Sequence, residues 1–243
     1  MLSHLKVLAC LISGAKGNTH QERLENFYGG QAAGYDAFRD KFLTNRQALI
    51  NSLPALEAGQ RLLDVGGATG RTLEFFGESI KDFEQVTVLD LCRPLLVQAQ
   101  KRIEGQRWHN VNTICADAST WQADKPYNLT IFSYSMSMIP DWYAAFENAI
   151  TNTVPGGTIA VVDFYLSRKH ASKGRAQHGY LCRHFWHWFF SHDNVFLRDD
   201  LLPYIMHRLE NCQVTETMER IPYTPCKVPV FRCWGTTPRQ EEY

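Results

Sequence analysis

What this 243-residue sequence lacks narrows its function before any motif is read. It has no net charge, because 25 Lys and Arg balance 25 Asp and Glu, so no global field draws it to nucleic acid. No apolar run approaches the roughly 20 residues needed to span a bilayer. The apolar stretch Leu5–Ser13 is short and lacks a small-x-small cleavage site. It reads as a short helix packed on the domain or touching a membrane. The seven cysteines include no C-x-x-C pair. That argues against a zinc site or a disulfide framework and fits a reducing, cytoplasmic compartment. His184 and His187 lie one helical turn apart without an evident third ligand, so no metal is expected. Repeats and low-complexity segments are absent.

What is present reads as one α/β domain over residues 1–243. Short apolar runs at Arg61–Val65, Gln85–Asp90, Val111–Ala116, Asn128–Tyr134 and Thr158–Asp163 predict strands. Helical patterns fall between them at Thr69–Ser79, Arg93–Glu104 and Asp141–Thr153. That alternation predicts a parallel sheet built from right-handed crossovers, spanning 60–163. Gln213–Glu219 and Val228–Gly235, joined by a Pro-containing turn, read as an antiparallel hairpin within 211–236. The expected fold is therefore Rossmann-like, a seven-stranded, mostly parallel sheet with a C-terminal antiparallel hairpin. An N-terminal helical lid covers 18–53, where Tyr35, Phe38, Phe42, Leu49 and Leu53 share a face. An insertion at 166–207 is rich in aromatic and basic residues.

The strongest motif is Leu62-Leu63-Asp64-Val65-Gly66-Gly67-Ala68-Thr69-Gly70, where a strand must turn sharply into a helix. Glycines there let the backbone approach a ligand closely, and nucleotide-containing ligands bind at the carboxyl ends of such strands. A dinucleotide fingerprint would place glycine where Arg71 stands, which opposes a nicotinamide dehydrogenase. Asp90, followed by Leu91, ends the second strand. Its carboxylate can accept from both hydroxyls of a ribose, or it caps the next helix. Asp117 follows the third strand. It is placed to accept from an adenine amino group while the Ala118 amide donates to the ring, or it makes a surface turn. Ser133 and Tyr134 close the fourth strand, beside the expected reaction centre.

With Asp64 before its first glycine, this loop resembles motif I of the class I S-adenosylmethionine-dependent methyltransferases, D-x-G-x-G-x-G, with Ala68 replacing the middle glycine. Five parallel strands followed by a hairpin is the usual order in that superfamily. The resemblance implies S-adenosylmethionine as cofactor, bound by Asp64, Gly66, Gly67, Ala68, Gly70, Asp90, Leu91, Asp117, Ala118 and Ser133.

A more specific resemblance rests on Asn26-Phe27-Tyr28-Gly29-Gly30-Gln31-Ala32-Ala33-Gly34-Tyr35-Asp36-Ala37-Phe38-Arg39 with Asn45-Arg46. Val161-Val162-Asp163-Phe164-Tyr165, Ile221-Pro222-Tyr223-Thr224-Pro225 and Val228-Pro229 add to it. These stretches are similar to the diacylglycerylhomoserine N-methyltransferases, which complete a betaine lipid. That likeness implies three successive methylations of one amine. It also implies a membrane lipid as substrate and, as partner, a 3-amino-3-carboxypropyl transferase that supplies the lipid. Aromatic faces favour the cations involved; Tyr28, Tyr35, Tyr134 and Trp142 can supply them or simply pack in the core. Arg39, Arg46 and Arg168 are unranked candidates for the homoserine carboxylate. No general base stands out, and release of the proton to water suffices.

Such an enzyme would be peripheral at a membrane. Arg168, Lys169, His170, Lys173 and Arg175 form a basic run, followed by Phe185-Trp186-His187-Trp188-Phe189-Phe190. These segments either dock on headgroups or form a solvated loop and a core-packed helix. The competing functions are methylation of a soluble amine or quinone-like ring, and a non-catalytic subunit of the same fold. The latter would not need a ribose acceptor.

Overall fold

The computed structural model describes residues 17–30, 32, 35–191, 195–222, 224 and 226–239, with the side chains of Ala37, Phe38 and Ser191 outside that description. The apolar Leu5–Ser13 stretch, Gln31, Ala33, Gly34, Tyr223 and Pro225 lie outside the described residues, as does the place of Phe38 on the expected helical face.

Among the described residues the first helices are α1 (His20–Gly29), α2 (Tyr35–Arg39) and α3 (Arg46–Ser52). α1 starts at a capping box, in which Thr19 accepts from the Glu22 amide and the Glu22 carboxylate reaches back to the cap backbone. Its buried residues, Phe27 and Tyr28, pack on Cys92 and Leu95.

The sheet follows with β1 (Arg61–Val65), β2 (Gln85–Asp90), β3 (Val111–Cys115), β4 (Tyr127–Ser133) and β5 (Thr153–Phe164), all parallel where they pair. α4 (Arg93–Gln106) and α5 (Trp142–Thr151) are crossover helices. The hairpin β6 (Glu210–Arg220) and β7 (Lys227–Thr236) pairs antiparallel, and β7 joins β5. The seven-stranded order is β3-β2-β1-β4-β5-β7-β6, the expected Rossmann-like arrangement. β1 is buried along its whole length, which is why it reads in sequence as an apolar run rather than an alternation.

Two elements on the site's side of the sheet depart from expectation, besides the longer edge strand β6. The segment after the glycine loop is a 3₁₀ run, Arg71–Asp82, kinked at Gly77 where φ is +57°. Its tighter turns still deliver Leu73, Phe76 and Ile80 to the core. The fifth strand begins at Thr153, within the expected helix, because Thr153 pairs with Tyr127 ahead of an irregularity in the ladder.

The insertion carries α6 (Tyr180–Ser191) and α7 (Leu201–Arg208). The expected aromatic run is split between two faces of α6. Trp186 and Phe190 are buried, whereas Phe185, Trp188 and Phe189 are exposed. Arg175 is withdrawn from the basic run by an ion pair with Glu216 at 3.6 Å. Trp142 is not a wall of the cofactor cavity. It is buried against Tyr143, with ring centroids 3.7 Å apart, and meets Tyr204 edge-on.

Candidate active site

The chain reverses its direction of growth across the sheet between β1 and β4, and the cavity lies at the carboxyl ends of the strands beside that point. The strand order places four segments in a row: Asp117 after β3, Asp90 after β2, the glycine loop after β1, and Ser133–Tyr134 at the end of β4. Three strand spacings of about 4.8 Å make the row about 14 Å long. A ligand that lies along it is elongated.

The loop is shaped by close approach. Gly66 has φ +65°, and a Cβ there would lie 2.4 Å from the Ser135 Cβ. A Cβ on Gly67 would lie 2.7 Å from Asp64 Oδ2, so the loop passes directly over that carboxylate. Ala68, the departure from the all-glycine pattern, keeps a left-handed backbone with φ +49°. Its amide donates to Asp90 Oδ2 at 2.9 Å, which holds it there. Gly70, at φ +68°, leads into the 3₁₀ run.

Asp90 also accepts from the Cys92 amide at 2.7 Å, so its carboxylate braces the loop against the start of α4 while facing the cavity. Burial raises its pKa and the backbone donors oppose that rise. Asp117 accepts from the Ser119 amide and hydroxyl through Oδ1, in a local turn at the cavity edge. Leu91, Ala118 and Ser133 line the same space.

Asp64 is fully buried, and neither of its carboxylate oxygens has a hydrogen-bond partner among the described residues. Burial pushes its pKa up to about 7, opposed by the charge of Arg46. Arg46 is itself buried. It donates from Nε to Ser133 Oγ at 3.2 Å, and its guanidinium lies 5.8 Å from the Tyr134 ring centre. Its nearest acidic partner is Asp40 at 3.7 Å. Burial lowers its pKa. A buried guanidinium lining a cavity is suited to an anionic group on a ligand.

Tyr28, Tyr35 and Tyr134 face the cavity together with Arg46. The hydroxyls of two of them have partners, and the partner of Tyr28, Met138, lines the same cavity. The Tyr134 hydroxyl donates to the Thr44 carbonyl at 2.6 Å, and Tyr28 contacts Met138 Sδ at 3.5 Å. Burial raises the pKa of Tyr35 and of Tyr134, so neither phenol is set up as a base near neutral pH. Arg39 lies over the Tyr28 and Tyr35 rings, at 5.9 and 5.4 Å, and is not among the described residues that line the cavity. Arg168 lines a different cavity with Tyr165 and Glu216, so the structure does not bring it to this site.

Sequence reasoning passed over other residues here. His20 and Leu24, on α1, line the cavity; burial lowers the His20 pKa and the nearby Asp117 opposes that. Asp141, the N-cap of α5, lines it too. Asp36 was visible in the N-terminal motif but was given no role. It accepts from the Thr69 hydroxyl at 2.7 Å and pairs with Arg102 at 2.6 Å. It therefore ties the lid to the glycine loop.

A family model described as a methyltransferase domain matches residues 35–201. The ubiquinone/menaquinone biosynthesis C-methyltransferase UbiE of Roseobacter denitrificans is 28% identical over 149 residues, covering 58% of this chain and 59% of that protein. A trans-aconitate 2-methyltransferase of Rhizobium leguminosarum is 27% identical over 130 residues, covering 54% and 48%. The chain thus spans about three-fifths or less of these curated relatives. Among solved structures, a Haemonchus contortus phosphoethanolamine N-methyltransferase 2 superposes with a TM-score of 0.69 at 13% identity, over 89% of this chain and 60% of that one. It holds phosphomonomethylethanolamine and S-adenosylhomocysteine. The N-methyltransferase NodS of Bradyrhizobium japonicum gives 0.53 at 14% identity, over 86% and 99%. These likenesses show the fold.

Proposed function

The chain belongs to the family of methyltransferase domains, and we propose that it carries methyl groups from S-adenosylmethionine to the amine of a lipid-borne homoserine, completing a betaine headgroup. The cavity fits the cofactor on its own features. The row of acceptors runs Asp117, Asp90, glycine loop, reaction centre, and glycines keep the loop where side chains would collide. When bound, the cofactor supplies an electrophilic methyl on a sulfonium. Asp117 and the Ala118 amide would hold its adenine, and Asp90 its ribose, with the backbone of Gly66–Ala68 alongside.

The observation that carries the acceptor assignment is Arg46. A buried guanidinium beside Ser133, in a space walled by Tyr28, Tyr35 and Tyr134, suits an amino acid whose carboxylate meets the arginine and whose nitrogen meets the rings. The nitrogen must lose its proton before it can attack, and burial in an apolar space favours its neutral form. A ring face attracts the cation without counting its N–H groups. The same wall therefore serves the amine after none, one or two methylations. No side chain need act as base, since the proton can pass to water, and positioning supplies most of the acceleration.

A transferase that attaches a 3-amino-3-carboxypropyl group to diacylglycerol would supply this substrate. A quinol acceptor is the second reading, favoured by the similarity to the UbiE proteins. The deciding assay gives the purified enzyme labelled S-adenosylmethionine with micellar diacylglycerylhomoserine, free homoserine or a prenylated quinol. Mass spectra showing one, two and then three added methyls on the lipid are expected. Arg46→Gln should raise the lipid KM about tenfold or more, the scale for losing a charged hydrogen bond. Methylation of the quinol alone would overturn the assignment.

A further inference from the structure

α1 has one face on the cavity from end to end. His20, Leu24 and Tyr28 recur every four residues and all three line it, while Glu22 and Asn26, on the opposite side, are exposed. The capping box begins the helix at His20, so the stripe runs a little over two turns, about 12 Å. That is close to the row of about 14 Å made by the four strand ends.

The two ends of the stripe are pinned to opposite ends of that row. His20 lies within reach of the Asp117 charge. Tyr28 contacts Met138 Sδ at 3.5 Å, and its ring centre is 5.4 Å from that of Tyr35, which lies within reach of the Arg46 charge. Between these ends α1 is braced on the start of α4. Glu25 meets Arg93 at 4.0 Å, and Phe27 and Tyr28 pack on Cys92 and Leu95. Burial grades along the stripe. Tyr28 is 2% exposed, whereas His20 and Leu24 are half-buried, so an imidazole and an apolar side chain stand open to a ligand at the Asp117 end.

We propose that this stripe lies lengthwise along the bound cofactor, and that His20 with Leu24 covers the face of its adenine. The assignment rests on the placement of the adenine at Asp117 and is independent of the methyl acceptor. A purine hydrogen-bonds at its edges and is apolar on its faces. Asp117 and the Ala118 amide can meet an edge; a face calls for a planar or apolar neighbour, which His20 and Leu24 supply. Burial favours the neutral imidazole, which stacks on a base without bringing a charge into the cavity. His20 therefore adds affinity for any base, while Asp117 selects the 6-amino group.

The test is calorimetric titration of the full chain with adenosine, S-adenosylhomocysteine and the inosine counterpart of the latter. His20→Ala should weaken all three about tenfold, within the range for removing a ring stacked on a base. His20→Phe should restore most of that loss. Asp117→Ala should weaken the two adenine ligands and spare the inosine one. Tyr28→Leu, at the far end of the stripe, should leave adenosine binding unchanged. Thr19→Ala loosens the start of α1 without touching the cavity, and should cost less than His20→Ala. An equal loss in those two variants, unrescued by His20→Phe, would make α1 a scaffold only and overturn the proposal. Adenosine affinity that falls for Asp117→Ala but not for His20→Ala would overturn it too, and leave the adenine placement standing. Adenosine affinity that falls for Tyr28→Leu alone would reverse the cofactor's direction and sink both.

Discussion

The Thr69 hydroxyl, in the glycine loop, donates to Asp36 Oδ1 at 2.7 Å, and that carboxylate joins the N-terminal helices to the loop. Arg102, from α4, completes the clamp by pairing with Asp36 Oδ2 at 2.6 Å and donating to the Thr69 carbonyl. All three residues are partly or fully buried, so the pairing is sheltered from the screening that weakens surface ion pairs. Asp36→Ala should lower stability by about 1–3 kcal/mol and weaken S-adenosylmethionine binding. It should also speed amide exchange in α1 and α2. Urea denaturation and hydrogen exchange check this; exchange unchanged from the wild type would mean the lid is held by packing alone.

Asp90 carries two loads, one toward the ligand and one toward the loop. Asp90→Ala removes the proposed ribose acceptor and also frees the Ala68 and Cys92 amides. The loss in cofactor affinity should therefore reach or exceed roughly 1.5–3 kcal/mol, the scale for charged hydrogen bonds. Asp90→Asn keeps one acceptor oxygen and should lose less. Calorimetric titration of both variants decides it, and full affinity in a folded Asp90→Ala protein would remove Asp90 from the site.

The sheet was legible because its central parallel strands β1, β2, β4 and β5 are largely buried and read as apolar runs between glycine and helix signals. The edge strand β6 was read short, as Gln213–Glu219 rather than Glu210–Arg220, because its ends are exposed and polar. The row of residues lining the cavity was legible too, since Asp90 and Ser133 end their strands and Gly66 and Asp117 follow theirs by one and two positions. What escaped depends on distant partners. The role of Asp36 lies in residues 33 and 66 positions away. The burial of Arg46 could not be ranked above that of Arg39 or Arg168, because nothing local marks which guanidinium faces the cavity. The rotation of α6 was equally hidden, since aromatics occupy nearly every side of it. For Trp142 the sequence left an aromatic wall and core packing both open. The residue begins α5, close in sequence to the cavity wall, but its ring turns inward to Tyr143 and Tyr204.

Ala68 offers a test of strain. A left-handed backbone costs a residue with a Cβ on the order of 1–2 kcal/mol, part of which glycine gives back through its freer unfolded chain. Ala68→Gly should therefore stabilise the protein by up to about 1 kcal/mol, while the β-branched Ala68→Val should destabilise it. Thermal unfolding followed by circular dichroism distinguishes these. A lower melting temperature for Ala68→Gly would show that the alanine methyl, packed near Phe27 and Leu95, is worth more than the strain it causes.

Asp64 makes stability depend on pH in a direction opposite to that of an ion-paired surface carboxylate. Its pKa rises from 3.8 to about 7 on folding, because its buried charge has little to replace water. Below about pH 4 both folded and unfolded chains hold the proton, and the group imposes no penalty. As pH rises from about 4 to 7 the unfolded chain releases its proton while the folded one retains it, so this contribution to stability is progressively lost. Above 7 the loss levels off, at up to about 4 kcal/mol if the whole shift is expressed. Asp64→Asn abolishes the titration. The difference in unfolding free energy between variant and wild type should then move in the variant's favour from pH 4 to 7 and flatten beyond. Arg46 opposes the upward shift, so in an Arg46→Gln background the same window should extend to higher pH. Denaturant melts of the four proteins at several pH values would measure this. A difference that stays constant from pH 4 to 8 would mean that Asp64 folds already ionised, with its charge met by Arg46 rather than suppressed by burial.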